Sequence, residues 1–204
     1  MPRVTAIKKQ SRRPGRVNVY LDDKFAFGLS RELTARFGLL VGREVSNEQV
    51  LLIKKESFQE KLLVAAYRYL SYRPRSEKEV GDFLVRKGFS AGEVEDVTAY
   101  LGEQGYLNDD DFAHWWLEQR IQFRPRGCRL LRQELIQKGV SQEIIDQVLA
   151  KVDEKELIRR LINQKRFRAW DESDRGREKL IAYLGRRGFS WPVILEVLEN
   201  LKRS

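Results

Sequence analysis

YRPRSEKEVGDFLVRKGFS (Tyr72–Ser90) and FRPRGCRLLRQELIQKGVS (Phe123–Ser141) carry the same features in the same order: an Arg-Pro-Arg turn, an amphipathic run, and a glycine turn ending in serine. A third, weaker copy emerges when Gly176 is set equivalent to Ser76 and Gly127, with 51 residues from Ser76 to Gly127 and 49 from Gly127 to Gly176. Four residues after these positions stand Val80, Leu131 and Leu180, and eight after, Leu84, Leu135 and Leu184. Gly88, Gly139 and Gly188 follow, then Ser90, Ser141 and Ser190, without a gap. Further on, Val94, Ile145 and Ile194 align, as do Val97, Val148 and Val197, and Leu101, Val152 and Leu201. Chance is a poor explanation for so many matched columns, and tandem repetition is the reading they support.

Each column has a physical meaning. The position shared by Ser76, Gly127 and Gly176 is predicted to be an N-cap, with Ser76 and Glu79 forming a capping box. The apolar pair that follows gives one helix face, and the glycine supplies a left-handed residue where the helix ends. The serine then starts another helix whose apolar spacing makes one buried stripe. An upstream helix completes each unit: Phe58–Leu70, Phe112–Ile121 and Leu157–Phe167. Units of this size cannot bury both faces alone, so the copies are expected to stack in a row. The predicted fold is mainly α, with three tandem three-helix repeats forming an elongated curved body.

The N-terminal part reads differently. In RVNVYLDDKFAFGLS (Arg16–Ser30) apolar residues alternate on either side of Asp22-Asp23-Lys24, which argues for a β-hairpin. Val4–Gln10 would add a third strand across the SRRPG loop. Ser30 is expected to cap a short helix that Gly38 ends, and Ser46 with Gln49 to form a capping box. The expected organisation is a small α+β segment at 1–55, followed by repeats at 56–110, 111–153 and 154–204.

Composition narrows the function. Lys plus Arg number 39 against 30 Asp plus Glu, giving +9 and a pI near 9.7, which points to polyanionic partners. One cysteine, Cys128, and one histidine, His114, provide neither an internal disulfide nor a Cys/His zinc site. The N-terminus lacks an apolar signal region and no apolar run reaches membrane-spanning length, so a soluble cytoplasmic protein without membrane contact is expected.

The short turn between the second and third helices of each unit resembles a helix-turn-helix. Its third helices argue against reading bases, because AGEVEDVTAYLGEQ and QEIIDQVLAKVDEKE are mainly acidic where phosphates would lie. The arginines of the repeated turns can offer bidentate donors to carboxylates or phosphates, or cap and pair within the stack. Both roles can hold together. Between Arg120 and Lys138 six basic residues face a single acid, Glu134, and KRFRAW (Lys165–Trp170) mixes cations with aromatics. A solvated helix face explains such charge runs as well as nucleic-acid binding does. Asn108-Asp109-Asp110-Asp111 suits a helix start better than a metal site. Cys128, at a helix start among arginines, is expected to have a lowered pKa. No phosphate loop, metal cluster or nucleophile–base pair is present in the sequence, so no enzyme and no cofactor is expected.

RPRSEKEVGDFLVRKG (Arg73–Gly88), GYLNDDDFAHWWLEQR (Gly105–Arg120) and RPRGCRLLRQELIQKGVS (Arg124–Ser141) resemble the RecX family, bacterial regulators of the RecA recombinase. The likeness covers about residues 62–201, and FAFGLS (Phe25–Ser30) is similar to the N-terminal extension of some members. Copy two has Arg124-Pro125-Arg126 where lysine is common, and copy three lacks the proline. The resemblance implies a non-enzymatic monomer that binds RecA and its filament on single-stranded DNA. It further implies inhibition of recombinase and coprotease activity, by blocking filament extension or promoting disassembly, in DNA repair and the SOS response. On that basis Arg73, Arg75, Arg124, Arg126 and Arg129 are expected to make the central contact. Lys165, Arg166, Arg168 and Arg175 would extend it. The competing expectation is a protein that binds single- or double-stranded DNA directly, without sequence preference.

Overall fold

A computed structural model describes residues 1–11, 13–163 and 174–201. Among them three strands precede ten helices. The chain divides into two compact units, one comprising residues 1–68 and 89–97, the other residues 69–88 and 98–204.

In the first unit, β1 (Val4–Lys9), β2 (Arg16–Leu21) and β3 (Lys24–Ser30) form an antiparallel sheet in sequence order. The hairpin turns on Asp22 and Asp23, whose φ values of 47° and 63° define a tight two-residue loop between Leu21 and its partner Lys24. Aspartate tolerates this left-handed region through its short polar side chain. Ser30 caps α1 (Arg31–Arg36), its Oγ accepting from the Leu33 amide at 3.0 Å. Val4, Val17, Val19, Leu29 and Leu33 build the core, joined by Ile53 of α2 (Asn47–Leu70). The Ser46–Gln49 capping box forms in both directions, each bond 3.1 Å. The helix expected to begin at Phe58 is therefore the second half of a longer one, and residue 55 lies inside it. Ser57 of α2 donates its hydroxyl to the Gly28 carbonyl at 2.9 Å, and Glu60 pairs with Arg16 of β2 at 2.9 Å.

The repeats follow as expected: α2, α3 (Glu77–Arg86) and α4 (Ala91–Glu103); α5 (Asp109–Phe123), α6 (Cys128–Gln137) and α7 (Gln142–Leu149); α8 (Glu154–Ile162), α9 (Asp174–Arg186) and α10 (Trp191–Leu201). Every aligned apolar residue from Val80, Leu131 and Leu180 through Val97, Val148 and Val197 is buried. Gly88, Gly139 and Gly188 have φ of 91°, 83° and 87°, the left-handed value that ends each middle helix. Copy two closes its own core around Phe112, Leu117, Leu131, Leu135 and Ile145, and copy three around Ile158, Leu161, Leu184, Phe189 and Ile194. Val152 packs against both clusters and joins them.

One cap differs from expectation. Ser76 and Gly127 are N-caps, but Gly176 lies within α9, two residues after its first residue, Asp174. In copies one and two a proline two residues before the cap disfavours helical conformation in the residue before it and keeps the helix from starting early. Copy three has Asp174 at that place, free of the proline's restriction and already helical.

Candidate interaction site

The second unit contains two seams between successive copies, and they are built alike. At the first, Ser76 donates its hydroxyl to the carbonyl of Lys138 at 2.7 Å, while its Oγ accepts from the Glu79 amide at 3.2 Å. At the second, Gly127, the residue equivalent to Ser76, donates its amide to the carbonyl of Arg187 at 3.0 Å. Lys138 and Arg187 occupy the same place in their copies, one residue before the glycine turn. The N-termini of α3 and α6 thus sit on the C-terminal turns of α6 and α9. That contact ties the donors left over at one helix start to the carbonyls left over at another helix end.

Charged side chains tighten the first seam. Arg73 grips Glu79 with both terminal nitrogens, each at 3.0 Å, and Lys138 reaches the same carboxylate from the next copy. Burial alone would raise the pKa of Glu79, but the hydrogen bonds and charges of Arg73 and Lys138 outweigh it and hold the group below 4.5. Asp109 accepts from the Glu77 amide at 2.9 Å; burial, aided by nearby Glu79, holds its carboxyl above 3.8 against that bond. The acidic run that begins α5 is a helix start: Asn108 accepts from the amides of Asp110 and Asp111.

The arginines of the repeated turns have unequal fates. Arg73 is bound to Glu79 and lies 5.6 Å from the Trp115 ring. Arg75 stacks its guanidinium 4.0 Å over Tyr69, which itself stacks on Phe83 at 4.1 Å. The Arg75 Nε is buried without a hydrogen-bond partner, so only part of that guanidinium reaches other groups. In copy two Arg126 pairs with Glu134, which also accepts from Arg120 at 2.7 Å and from the Trp116 indole at 2.8 Å. Arg129 donates to the Gly185 carbonyl at 2.9 Å, across the second seam. Arg132 pairs with Asp146 at 2.6 Å. Arg124 is exposed and takes part in none of these pairs. Arg175 is exposed on α9, whereas Lys165, Arg166 and Arg168 lie outside the described residues.

The basic run from Arg120 to Lys138 is therefore mostly committed inside the protein, which sequence separation concealed. Among the described residues Arg124 of the copy-two turn enters no ion pair, whereas the sequence makes the two turns look equivalent. Around Arg124 the structure opens a cleft of about 830 Å³ at the second seam, with Arg126, Arg186 and Arg187 on its walls beside Phe123 and Leu161. Arg186 and Arg187 entered no sequence argument as a site, although the two adjacent arginines at the end of α9 were the available signal.

Cys128 overturns one expectation. Its thiol is pushed up to about 11, first by burial and then by the Glu154 carboxylate, which also accepts from the Cys128 amide at 2.6 Å. Arg132 pulls the thiol down, but burial and Glu154 outweigh it, so no thiolate is stabilised here. Among the described residues no group of three or more His, Cys, Asp or Glu could hold a metal ion, and no helix is long and apolar enough to cross a membrane.

Three-helix units bearing arginine turns, joined cap-to-turn within the second compact unit, define a class of helical-repeat protein. Residues 2–46 match the regulatory protein RecX N-terminal domain, 63–101 the first RecX three-helix domain, and 108–149 the second. The chain belongs to the RecX family. It is 32% identical over 147 residues to the regulatory protein RecX of Listeria monocytogenes serotype 4a, covering 72% of this chain and 55% of that one. The chain thus spans little more than half the length of that relative. It is 37% identical over 158 residues to the RecX of Lactobacillus johnsonii, covering 78% and 58% of the two chains. With the Clostridium tetani protein the identity is 29% over 206 residues, covering 98% and 94%. A crystal structure of regulatory protein RecX superposes with a TM-score of 0.72 at 27% identity, over 98% of this chain and 100% of that one. The RecX structure from Lactobacillus salivarius, at 22% identity and a TM-score of 0.61 over 72% and 97%, shares the fold.

Proposed function

We propose that this protein binds RecA and the filament RecA forms on single-stranded DNA, and that it inhibits recombinase and coprotease activity by blocking extension or promoting disassembly. Family membership carries this reading, because the matched regions include both arginine turns. The repeated spacing suits a helical polymer, since copies placed at a regular interval can engage successive subunits and gain affinity through effective concentration. Arg124 leads the proposed contact, with Arg129, Arg175 and the cations of 165–168 extending it. Arg73, Arg75 and Arg126 join it while also pairing or stacking inside the protein, with Glu79, Tyr69 and Glu134.

The test is single-stranded-DNA-dependent ATP hydrolysis by purified RecA, titrated with this protein. Inhibition at well under one molecule per RecA subunit, at a salt concentration where naked DNA is not bound, is the expected result. Inhibition only once the DNA is itself saturated would instead favour a protein that acts by covering DNA.

A further inference from the structure

The first unit carries an apolar hollow that its own fold leaves open. On one flank of α1, Val17, Ala35, Leu39 and Leu40 line a cavity of about 340 Å³. The hydroxyl on its walls, that of Thr34, already donates to the Ser30 carbonyl at 2.7 Å. Arg31 is the charged side chain there, and no carboxylate lines the cavity among the described residues. The other flank of α1 faces α2 and gathers the acids, Glu56 pairing with Arg36 and Glu60 with Arg16.

The wall of the hollow is preformed. The Arg43 amide closes a turn on the Leu40 carbonyl at 3.1 Å, with Gly42 at a φ of 92°. The Arg43 guanidinium donates to the Phe37 and Gly38 carbonyls at 2.8 and 2.6 Å, and the Gly42 amide to the Val4 carbonyl at 2.8 Å. This locked turn holds Leu40 and Val41 71% and 65% exposed, while Leu39 and Val45 fill the core. Two aliphatic side chains kept in water add nothing to the core, and a partner would meet them already ordered. Lys9 stands directly across from Val17 on the edge strand β1, and so on the same face of the sheet. Lys9 and Arg31 are exposed, and neither enters an ion pair among the described residues.

We propose that this hollow docks an acidic segment of a protein partner, seating one large apolar side chain against Val17, Leu39 and Leu40 with flanking carboxylates on Lys9 and Arg31. Charge selects the occupant, because cations without ion-pair partners beside an apolar floor complement an apolar side chain set between carboxylates. A second copy of this chain would bring like charges together, since residues 1–46 hold ten Lys and Arg against four Asp and Glu. A nucleic acid would find no aromatic ring on these walls to stack against. The site lies in the first unit and uses none of the turn arginines, so it goes beyond the function proposed above and is tested without RecA.

The experiment is fluorescence anisotropy of two fluorescein-labelled peptides, Asp-Glu-Asp-Leu-Asp-Glu-Asp and the same peptide with serine for leucine. Each is titrated with the full chain at about 50 mM salt, where surface charges are weakly screened. The peptides carry equal charge, so only the hollow can tell them apart. The leucine peptide is expected to bind about tenfold tighter or more, the gain from burying one aliphatic side chain. Ala35→Glu, which sets a carboxylate on the wall, should remove that preference. Lys9→Glu should weaken the leucine peptide about threefold or more, and Lys151→Glu, an equal charge change on an exposed residue of the second unit, should cost less. Thermal melts check folding, and Leu40→Ser takes the place of Ala35→Glu if that variant unfolds. The proposal is overturned if the leucine peptide does not bind, if the two peptides bind alike, or if the wall variant keeps the preference. It also falls if Lys9→Glu costs no more than Lys151→Glu. Self-association of the parent that Ala35→Glu abolishes would put a second copy in the hollow and overturn it as well.

Discussion

The amide of Gly127 donates to the carbonyl of Arg187 at 3.0 Å, and at the equivalent position in the preceding copy Ser76 makes the same connection with its hydroxyl, at 2.7 Å to Lys138. The two seams are one device at two separations. A Cβ on Gly127 would collide with backbone atoms of Gly188 and Phe189, so the second seam closes to direct backbone contact. Gly127→Ser, which installs the residue that copy one uses, is therefore expected to destabilise the protein. Forcing that seam apart should cost about 1–3 kcal/mol, read as a lowered Tm. Ser76→Gly removes two hydrogen bonds, to the Lys138 carbonyl and from the Glu79 amide, each worth about 1 kcal/mol, but it introduces no clash and leaves the cap backbone in place, so it should cost about 1–2 kcal/mol.

The turn arginines should separate by stability. Arg126→Glu sets a carboxylate against Glu134 and removes a partner from that acid. It should cost about 1–3 kcal/mol, the lower end reflecting the partial exposure of Arg126. Arg124→Glu should leave the melting curve within about 0.5 kcal/mol of the parent. A double variant at these two positions is thus a poor probe of binding, and the loss of filament contact should be assigned from Arg124→Glu alone.

Glu79 sets a pH dependence with a definite sign. Its folded pKa lies below 4.5, so its contribution is fully present above that value and is lost as pH falls through the folded pKa. Asp109 acts in the opposite sense, its raised carboxyl favouring folding as pH falls toward 3.8. Chemical denaturation of the parent and of Glu79→Gln should differ by about 1–3 kcal/mol at neutral pH, with the difference shrinking below pH 4.5. A difference constant with pH would mean that Glu79 is not held by Arg73 and Lys138.

Cys128 should be nearly inert. With the thiol at about 11 against an ordinary 9.0, the thiolate fraction near pH 8 is about a hundredfold lower than in the unfolded chain. Alkylation by iodoacetamide should slow by about that factor in the folded protein, and Glu154→Gln should recover part of it.

The sequence by itself determined the elements and their repetition. Helix faces, caps and glycine turns are local, because a serine caps the helix three residues away and a glycine ends the helix it follows. For that reason the hairpin at Asp22-Asp23, the Ser46–Gln49 box and the glycine at the end of each middle helix were legible before any fold was known. The early start of α9 and the length of α2 were less legible, since a missing proline or an uninterrupted helix leaves only a weak mark. Only the tertiary structure decided what each charge is for. Glu79 and Lys138 lie 59 residues apart, and Ser76 and the Lys138 carbonyl 62. No periodicity links such partners, so two Arg-Pro-Arg turns that read identically could differ in which arginine is spent on an ion pair and which faces the cleft. Burial decided Cys128 in the same way: the charge around a thiol can be read from the chain, but whether that charge is already neutralised cannot.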